Sequence, residues 1–363
     1  ARFFKPSPPV PDSPLSHTRT HSHAPMAGPR AAFLLAALLA TAVAELCSNG
    51  ANTLRELGEL AGINIGVGTR IDYLEEYPAQ AELVKREFNM LATDDEMKMN
   101  ILMHPHDLAW DFEKLDKMVE FAKDNNLKIR GHTLFYHLAI PDKLRDWDLT
   151  QEEWREWATD YICTVMERYK GVITEYDVVN EVFVHPEFDD VPAAGLRDTF
   201  FKEKLGDDYV QFLFEEAHKC DPDATLYLND FLNEHENSKM GYILATVEQW
   251  VAEGVPIHGI GMQAHVSYFH DTEIIYENAF RRYDESGLLQ ALTEFDAFHK
   301  CENATDFYEH QAEIYYTLVK LALRFPNSFK SIVVWGLNDN FSWVKNNPLF
   351  PCKGQPTLFD TDN

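Results

Sequence analysis

Eight short runs rich in β-branched and apolar residues, most of them separated by an amphipathic stretch of helical length, constrain this chain more than any other feature. The runs are Ile63–Gly68, Phe88–Thr93, Lys128–Leu134, Tyr176–Glu181, Thr225–Asp230, Ile257–His265, Leu289–Asp296 and Ser331–Leu337. Between them, Trp110–Asn126 places Phe112, Leu115, Val119 and Ala122 on one helical face, and Asn237–Gly254 does the same with Met240, Ile243, Leu244, Val247 and Val251. Phe307–Phe325 repeats the pattern with Ile314, Leu318, Leu321 and Phe325. A helix between two strands returns the chain to the same end of the sheet, so the strands run parallel. Eight such units predict closure into a (β/α)8 barrel. Thr150 with Glu153 reads as a capping box, Gly254 and Gly287 as helix ends, and Pro326 follows a helix. Residues 45–363 contain no linker, repeat or low-complexity tract, which predicts one domain.

The amino-terminal part has a different character. Residues 1–25 are rich in Pro, Ser, Thr and His without an apolar period, and read as disordered or untranslated upstream sequence. Residues 26–44 read as a signal peptide: Arg30 precedes the apolar run Ala31 to Val43, and Ala42-Val43-Ala44 has the small-residue pattern of a cleavage site. A secreted protein starting near Glu45 is the expectation. The apolar run is shorter than the roughly 18 residues that span a bilayer, so no membrane association is expected. A formal charge of -27, from 32 basic and 59 acidic residues, would repel nucleic acids and anionic membranes and suits a neutral substrate. Of the five cysteines, Cys47 and Cys352 lie near the two ends, which a closed barrel brings together. A terminal disulfide and five small buried thiols are both open readings.

Barrel chemistry takes place at the carboxyl ends of the strands, and the polar residues there form a coherent set. Strand two is followed by Asp94, Asp95 and Lys98, strand three carries His132 and His137, strand four ends in Asn180-Glu181, and strand five in Asn229-Asp230. Strand six ends with Gln263 and His265, strand seven with Glu294 and Asp296, and strand eight with Trp335 ahead of Asn338, Asp339 and Trp343. Glu181 and Glu294 can face each other across the barrel mouth. One protonated and one ionised carboxyl about a sugar ring are the minimal equipment for breaking a glycosidic bond. The histidines show no His-x-x-x-His or paired-Cys spacing, so neither a catalytic metal nor a cofactor is expected.

Ordered along the strands, these residues resemble glycoside hydrolase family 10, whose principal activity is endo-1,4-β-xylanase. The matching motifs are Gly131-His132-Thr133-Leu134 with His137, Asp177-Val178-Val179-Asn180-Glu181, Leu226-Tyr227-Leu228-Asn229-Asp230, Gly259-Ile260-Gly261 with Gln263 and His265, Thr293-Glu294-Phe295-Asp296, and Trp335-Gly336 with Asp339 and Trp343. The resemblance runs from about Leu54 to Asp360. It implies that Glu181 is the acid/base and Glu294 the nucleophile of a double displacement, with the anomer retained and the carboxyls roughly 5–5.5 Å apart. It implies that Asn180 binds the 2-hydroxyl, that His265 orients Glu294 with Asp296 behind it, that Lys98, His137 and Gln263 bind hydroxyls on the glycone side, and that Trp335 and Trp343 wall the reacting ring. His132 reads as a supporting histidine, and Asp230 as either structural or supporting. The expected ligand is a polysaccharide, xylan or another β-glycan, bound by a monomer.

The chain also departs from the family pattern. Asp94-Asp95-Glu96-Met97-Lys98-Met99 stands where Glu-Asn usually precedes x-Met-Lys-Trp, and Tyr136 stands where a tryptophan usually precedes His137. The tryptophan expected soon after Pro141 is absent, with Lys143 nearby, and Phe231 replaces a common tyrosine on the leaving-group side. These changes leave the reaction class intact and open the glycone subsite to a different sugar or linkage, such as β-1,3-xylan or β-glucan. An inactive carbohydrate-binding barrel is the rival of a different class, and retention of Glu181, Glu294, Asn180 and His265 speaks against it. Thr357-Leu358-Phe359-Asp360 matches the segment after strand eight, but the helix expected next has no sequence left to form it. Asn303-Ala304-Thr305 reads as a usable glycosylation sequon, and Asn340-Phe341-Ser342, between the site tryptophans, as an unused one.

Overall fold

The computed structural model describes residues 52–266, 273–298, 307–347 and 355–359. Residues 1–44, Cys47, Cys352, Asn303 and Asp360, which carry several of the expectations above, lie outside them. The described part is a closed parallel barrel of β1 (Asn64–Thr69), β2 (Met90–Thr93), β3 (Lys128–Tyr136), β4 (Ile173–Asn180), β5 (Thr225–Asp230), β6 (Gly259–Met262), β7 (Leu289–Ala297) and β8 (Phe329–Trp335). Neighbours in sequence are neighbours in the sheet, and β8 pairs with both β7 and β1, which closes the ring. The helices that pack around it are α1 (Leu54–Ala61), α2 (Pro78–Glu87), α3 (Glu113–Asp124), α4 (Gln151–Arg168), α5 (Tyr209–Cys220), α6 (Ser238–Ala252), α7 (Glu273–Glu285) and α8 (Phe307–Ala322). Among the described residues no α-helix follows β8, and no helix is long and apolar enough to cross a membrane.

Local chemistry explains where the elements begin and stop. The Thr150–Glu153 capping box at α4 forms, and a second, Thr53 with Glu56, opens α1. Helix α3 starts three residues later than the apolar period suggests, because Trp110 bridges Met103 and the Asp111 carboxylate accepts the Glu113 N–H at 3.0 Å. The sixth run is not one strand. It breaks after Met262 and resumes only at His265–Val266, with Ala264 between them in the left-handed region at φ 57°. Conversely, β3 runs two residues beyond Leu134, and a register shift between His132 and Phe135 brings Tyr136 level with Asn180 of β4.

The interior contains charge as well as hydrocarbon. Arg130 is fully buried inside the barrel, donates to Asp177 at 2.5 Å and to Glu175 at 3.1 Å, and lies 4.2 Å from the Tyr227 ring centroid. A charge this deep persists only when paired and hydrogen-bonded, as here. Trp335 lies so close across β1 that a Cβ at Gly68 would come within 2.2 Å of its ring, so only glycine fits there.

One of the two readings of the cysteines is corrected by the structure. Cys163 of α4 and Cys220 of α5 are joined in a disulfide, with Cα atoms 5.1 Å apart. These helices are neighbours in the outer ring, but a 57-residue separation says nothing of which faces meet. Spacing alone therefore could not show the pair. The reading of all five as free thiols is corrected, and the Cys47–Cys352 pairing lies outside the described residues.

Candidate active site

The carboxyl ends of β3 to β8 assemble one connected polar array. It begins with Thr293 on β7, whose hydroxyl donates to Asn229 Oδ1 at 2.6 Å and so fixes which way the Asn229 amide points. Asn229 Nδ2 then donates to Glu294 Oε1 at 2.8 Å and to Asn180 Oδ1 at 2.9 Å. Gln263 Nε2 donates to the same Asn180 oxygen at 3.1 Å and to Glu181 Oε1 at 3.2 Å, and the Tyr136 hydroxyl donates to Glu181 Oε1 at 3.0 Å. Each amide in the chain has its sense set by the previous one. Asn180 thus keeps its NH2 group as the part left for a ligand.

Glu181 sits one residue past β4 at φ 57°, a conformation that costs a non-glycine residue about 1–2 kcal/mol. Its backbone is held there from both sides: its N–H donates to the Asn229 carbonyl at 3.0 Å, and Arg197 Nε donates to its carbonyl at 3.1 Å. Arg197 is itself clamped by Asp189 at 2.7 and 3.2 Å. The turn swings the Glu181 carboxyl over the barrel mouth.

The two glutamates are shifted in opposite directions. Burial raises the Glu181 pKa above the usual glutamate value, and the charges of Asp230 and then Glu294 add to it, against the hydrogen bonds from Gln263 and Tyr136. Glu294 is 6% exposed, and burial alone would raise it too. The imidazoles of His132 and His265 and the amide of Asn229 outweigh burial and hold it down at about 2. His265 Nε2 lies 3.2 Å from Glu294 Oε2, and its Nδ1 lies 3.0 Å from Asp296 Oδ1. Burial disfavours the imidazolium, but Asp296 and Glu294 prevail and push it up to about 10. The histidine is therefore a cation donating to both carboxylates at neutral pH.

Supporting residues complete the wall. Trp343 donates from Nε1 to Asp296 Oδ2 at 2.7 Å and lies against His265, with ring centroids 4.7 Å apart. Trp335 meets His132 edge-on at 5.3 Å. His132 Nδ1 faces Asp177 at 3.0 Å and Glu294 at 3.9 Å, which makes it a support, not a surface group. Fully buried Asp230 receives Lys239 at 2.7 Å and the N–H groups of Phe183 at 3.0 Å and Phe231 at 2.9 Å, anchoring the loops after β4 and β5. Lys98 is held by Asp95 at 2.9 Å and Asp94 at 3.6 Å. Burial opposes its charge, but Asp94, Asp95 and Glu294 keep its pKa above the ordinary lysine value. No group of three His, Cys, Asp or Glu side chains among the described residues is placed to hold a metal ion.

This geometry has counterparts among known proteins. Residues 53–363 match the model of Glycosyl hydrolase family 10. The chain belongs to that family.

Among its relatives, endo-1,4-β-xylanase B of Thermotoga neapolitana is 31% identical over 311 residues, spanning 85% of this chain and 86% of that protein. The β-1,4-xylanase of Dictyoglomus thermophilum is 30% identical over 306 residues, 82% and 84% of the two chains. The crystal structure of xylanase 10B from Thermotoga petrophila RKU-1 in complex with xylobiose superposes with a TM-score of 0.78 at 31% identity, covering 86% of this chain and 93% of that one.

Of the residues that family 10 resemblance singles out, the structure gathers Glu181, Glu294, Asn180, Gln263, His265, Asp296, Trp343 and His132 into one array, with Lys98, Asp230 and Trp335 against it. His137 is not part of the hydrogen-bonded chain. It borders a small cavity with Val179, Thr199, Phe201 and Tyr209, its Nδ1 is buried without a partner among the described residues, and burial together with Arg197 lowers its pKa to about 4. The sequence places Asn229 at a strand end and Tyr136 as a departure from the family pattern but assigns neither a role in the array, and it does not single out Arg197. Gly261 is packed against Asn229, a Cβ there falling 2.3 Å from Asn229 Oδ1, so the glycine marks a close approach across the strand pair. Arg197 left no signal, because its role depends on a loop folding back.

Proposed function

We propose that this protein is a secreted endo-1,4-β-xylanase that cleaves internal β-1,4-xylosidic bonds of xylan by double displacement, with retention at the anomeric carbon. The observation that carries the reaction class is the pair of carboxyls on one barrel mouth, the buried Glu294 held at about 2 and the partly buried Glu181 raised above the usual glutamate value. The Glu294 carboxylate attacks C1 while Glu181 gives its proton to the departing glycosidic oxygen, which leaves with the bonding electron pair. Glu181, now ionised, takes a proton from water as the water oxygen attacks C1 and expels Glu294. The free NH2 of Asn180 is suited to the 2-hydroxyl, whose hydrogen bond strengthens as positive charge grows on the ring. Xylan as substrate is supported by the names of the relatives and by the xylobiose in the T. petrophila enzyme. Secretion is supported by the apolar run before Ala42-Val43-Ala44 and by the Cys163–Cys220 disulfide, a bond that persists in oxidising compartments.

Reducing-sugar release from β-1,4-xylan, β-1,3-xylan and mixed-linkage glucan, by the wild-type protein and by Glu294→Gln, tests the reading. Release from β-1,4-xylan, lowered on the order of 10⁴-fold by the substitution, is expected. Preference for another polymer would redirect the substrate, and full activity of Glu294→Gln would refute the nucleophile.

A further inference from the structure

Both donors that reach the Glu181 carboxyl converge on the same oxygen. The Tyr136 hydroxyl at 3.0 Å and Gln263 Nε2 at 3.2 Å donate to Oε1, and among the described residues none hydrogen-bonds to Oε2. Neither donor can reverse. Gln263 also donates to Asn180 Oδ1 at 3.1 Å, so a flipped amide would set its carbonyl against two acceptors. Burial and the charges of Glu181 and Glu294 push the Tyr136 phenol far above the usual tyrosine range, against the opposing charge of Arg197, so it keeps its proton at any working pH. An oxygen that already accepts two hydrogen bonds has no room for a proton of its own.

We propose that Tyr136 is a positioning residue that assigns the catalytic proton to Oε2 of Glu181 and stabilises the carboxylate left when that proton departs. This rests on the double-displacement reading above. In the first step the Oε2–H bond breaks as the glycosidic oxygen takes the proton; in the second Oε2 takes a proton from water. Through both, Oε1 stays bound to Tyr136 and Gln263. The groups facing Glu181 from elsewhere are Asp230 on β5, Glu294 on β7 and Arg197 on the loop after β4. None of them donates a hydrogen bond to the carboxyl, so the Tyr136 contribution is separable from theirs.

Tyr136→Phe removes the hydroxyl and keeps the ring. Its melting transition checks that the fold is intact. At the pH optimum, kcat/KM on xylan, whose sugar leaving group needs the proton, should fall about tenfold. For a 2,4-dinitrophenyl β-xyloside, whose leaving group needs none, kcat/KM, which reports the first step alone, should stay within twofold of wild type. Loss of a donor to the ionised form raises the Glu181 pKa, so the alkaline limb of the xylan profile should move up by about one pH unit. A retained product with an unmoved limb, or with equal losses on both substrates, would overturn the Tyr136 assignment alone. An inverted product from the wild-type protein would instead overturn the double-displacement reading, whatever Tyr136→Phe does.

Discussion

His265 shows most plainly how single residues set the protonation of this site. It stands between Glu294 and Asp296 as the shared counter-cation of two buried carboxylates. His265→Ala should raise the acid limb of kcat/KM from about 2 toward or beyond the ordinary carboxylate range, because Glu294 then keeps burial and loses one of its main compensating charges. A pH–rate profile reads this directly. Under the proposed double displacement the wild-type protein needs Glu294 ionised, so activity should disappear as pH falls through about 2, and needs Glu181 protonated, so activity should disappear as pH rises through that group's raised value. Stability has its own linkage. A histidine raised from 6.5 to about 10 contributes fully below 6.5, and that contribution is lost as pH climbs toward 10. Urea midpoints measured from pH 6 to 10 should fall for wild type, and the fall should be smaller in His265→Ala.

At the scale of elements, two covalent or charged ties between neighbours carry testable weight. The Cys163–Cys220 bond closes a loop of 57 residues between α4 and α5, and chain-entropy arguments give such a loop about 4 kcal/mol. Cys163→Ser should lower unfolding stability by about that amount in denaturant titrations, with barrel-mouth activity retained at low temperature. Lys239→Met leaves Asp230 as an unpaired buried charge and should cost about 3–5 kcal/mol, while freeing the loops after β4 and β5. The elements were the most legible part of the sequence. All eight strands fall on the expected runs, because a parallel barrel strand is buried on both faces and reads as a short apolar block. What escaped were the places where the chain leaves ideal geometry: the break at Ala264, the extension of β3 to Tyr136, and the left-handed turn at Glu181. Those irregularities aim the side chains of Glu181, Tyr136 and His265, and residue periodicity carries no trace of them. The same holds for His137 against Tyr136, where a register shift decides which neighbour reaches the carboxyl.

For the molecule as a whole, a closed barrel fixes six strand ends in a ring, so residues distant in sequence, such as Asn180 and Gln263, 83 positions apart, hydrogen-bond at fixed geometry. That rigidity lets one chain of amides run from Glu294 to Glu181, each fixing the orientation of the next. The two glutamates were legible from sequence because each ends an apolar strand; the amide chain between them was not, because it exists only once the ring closes. The central claim is that Glu294 attacks and Glu181 serves first as acid and then as base. Proton NMR of the product in the first minutes of xylan hydrolysis tests it most directly. The account predicts that the newly released reducing end appears as the β-anomer and only later equilibrates by mutarotation; initial appearance of the α-anomer would contradict it.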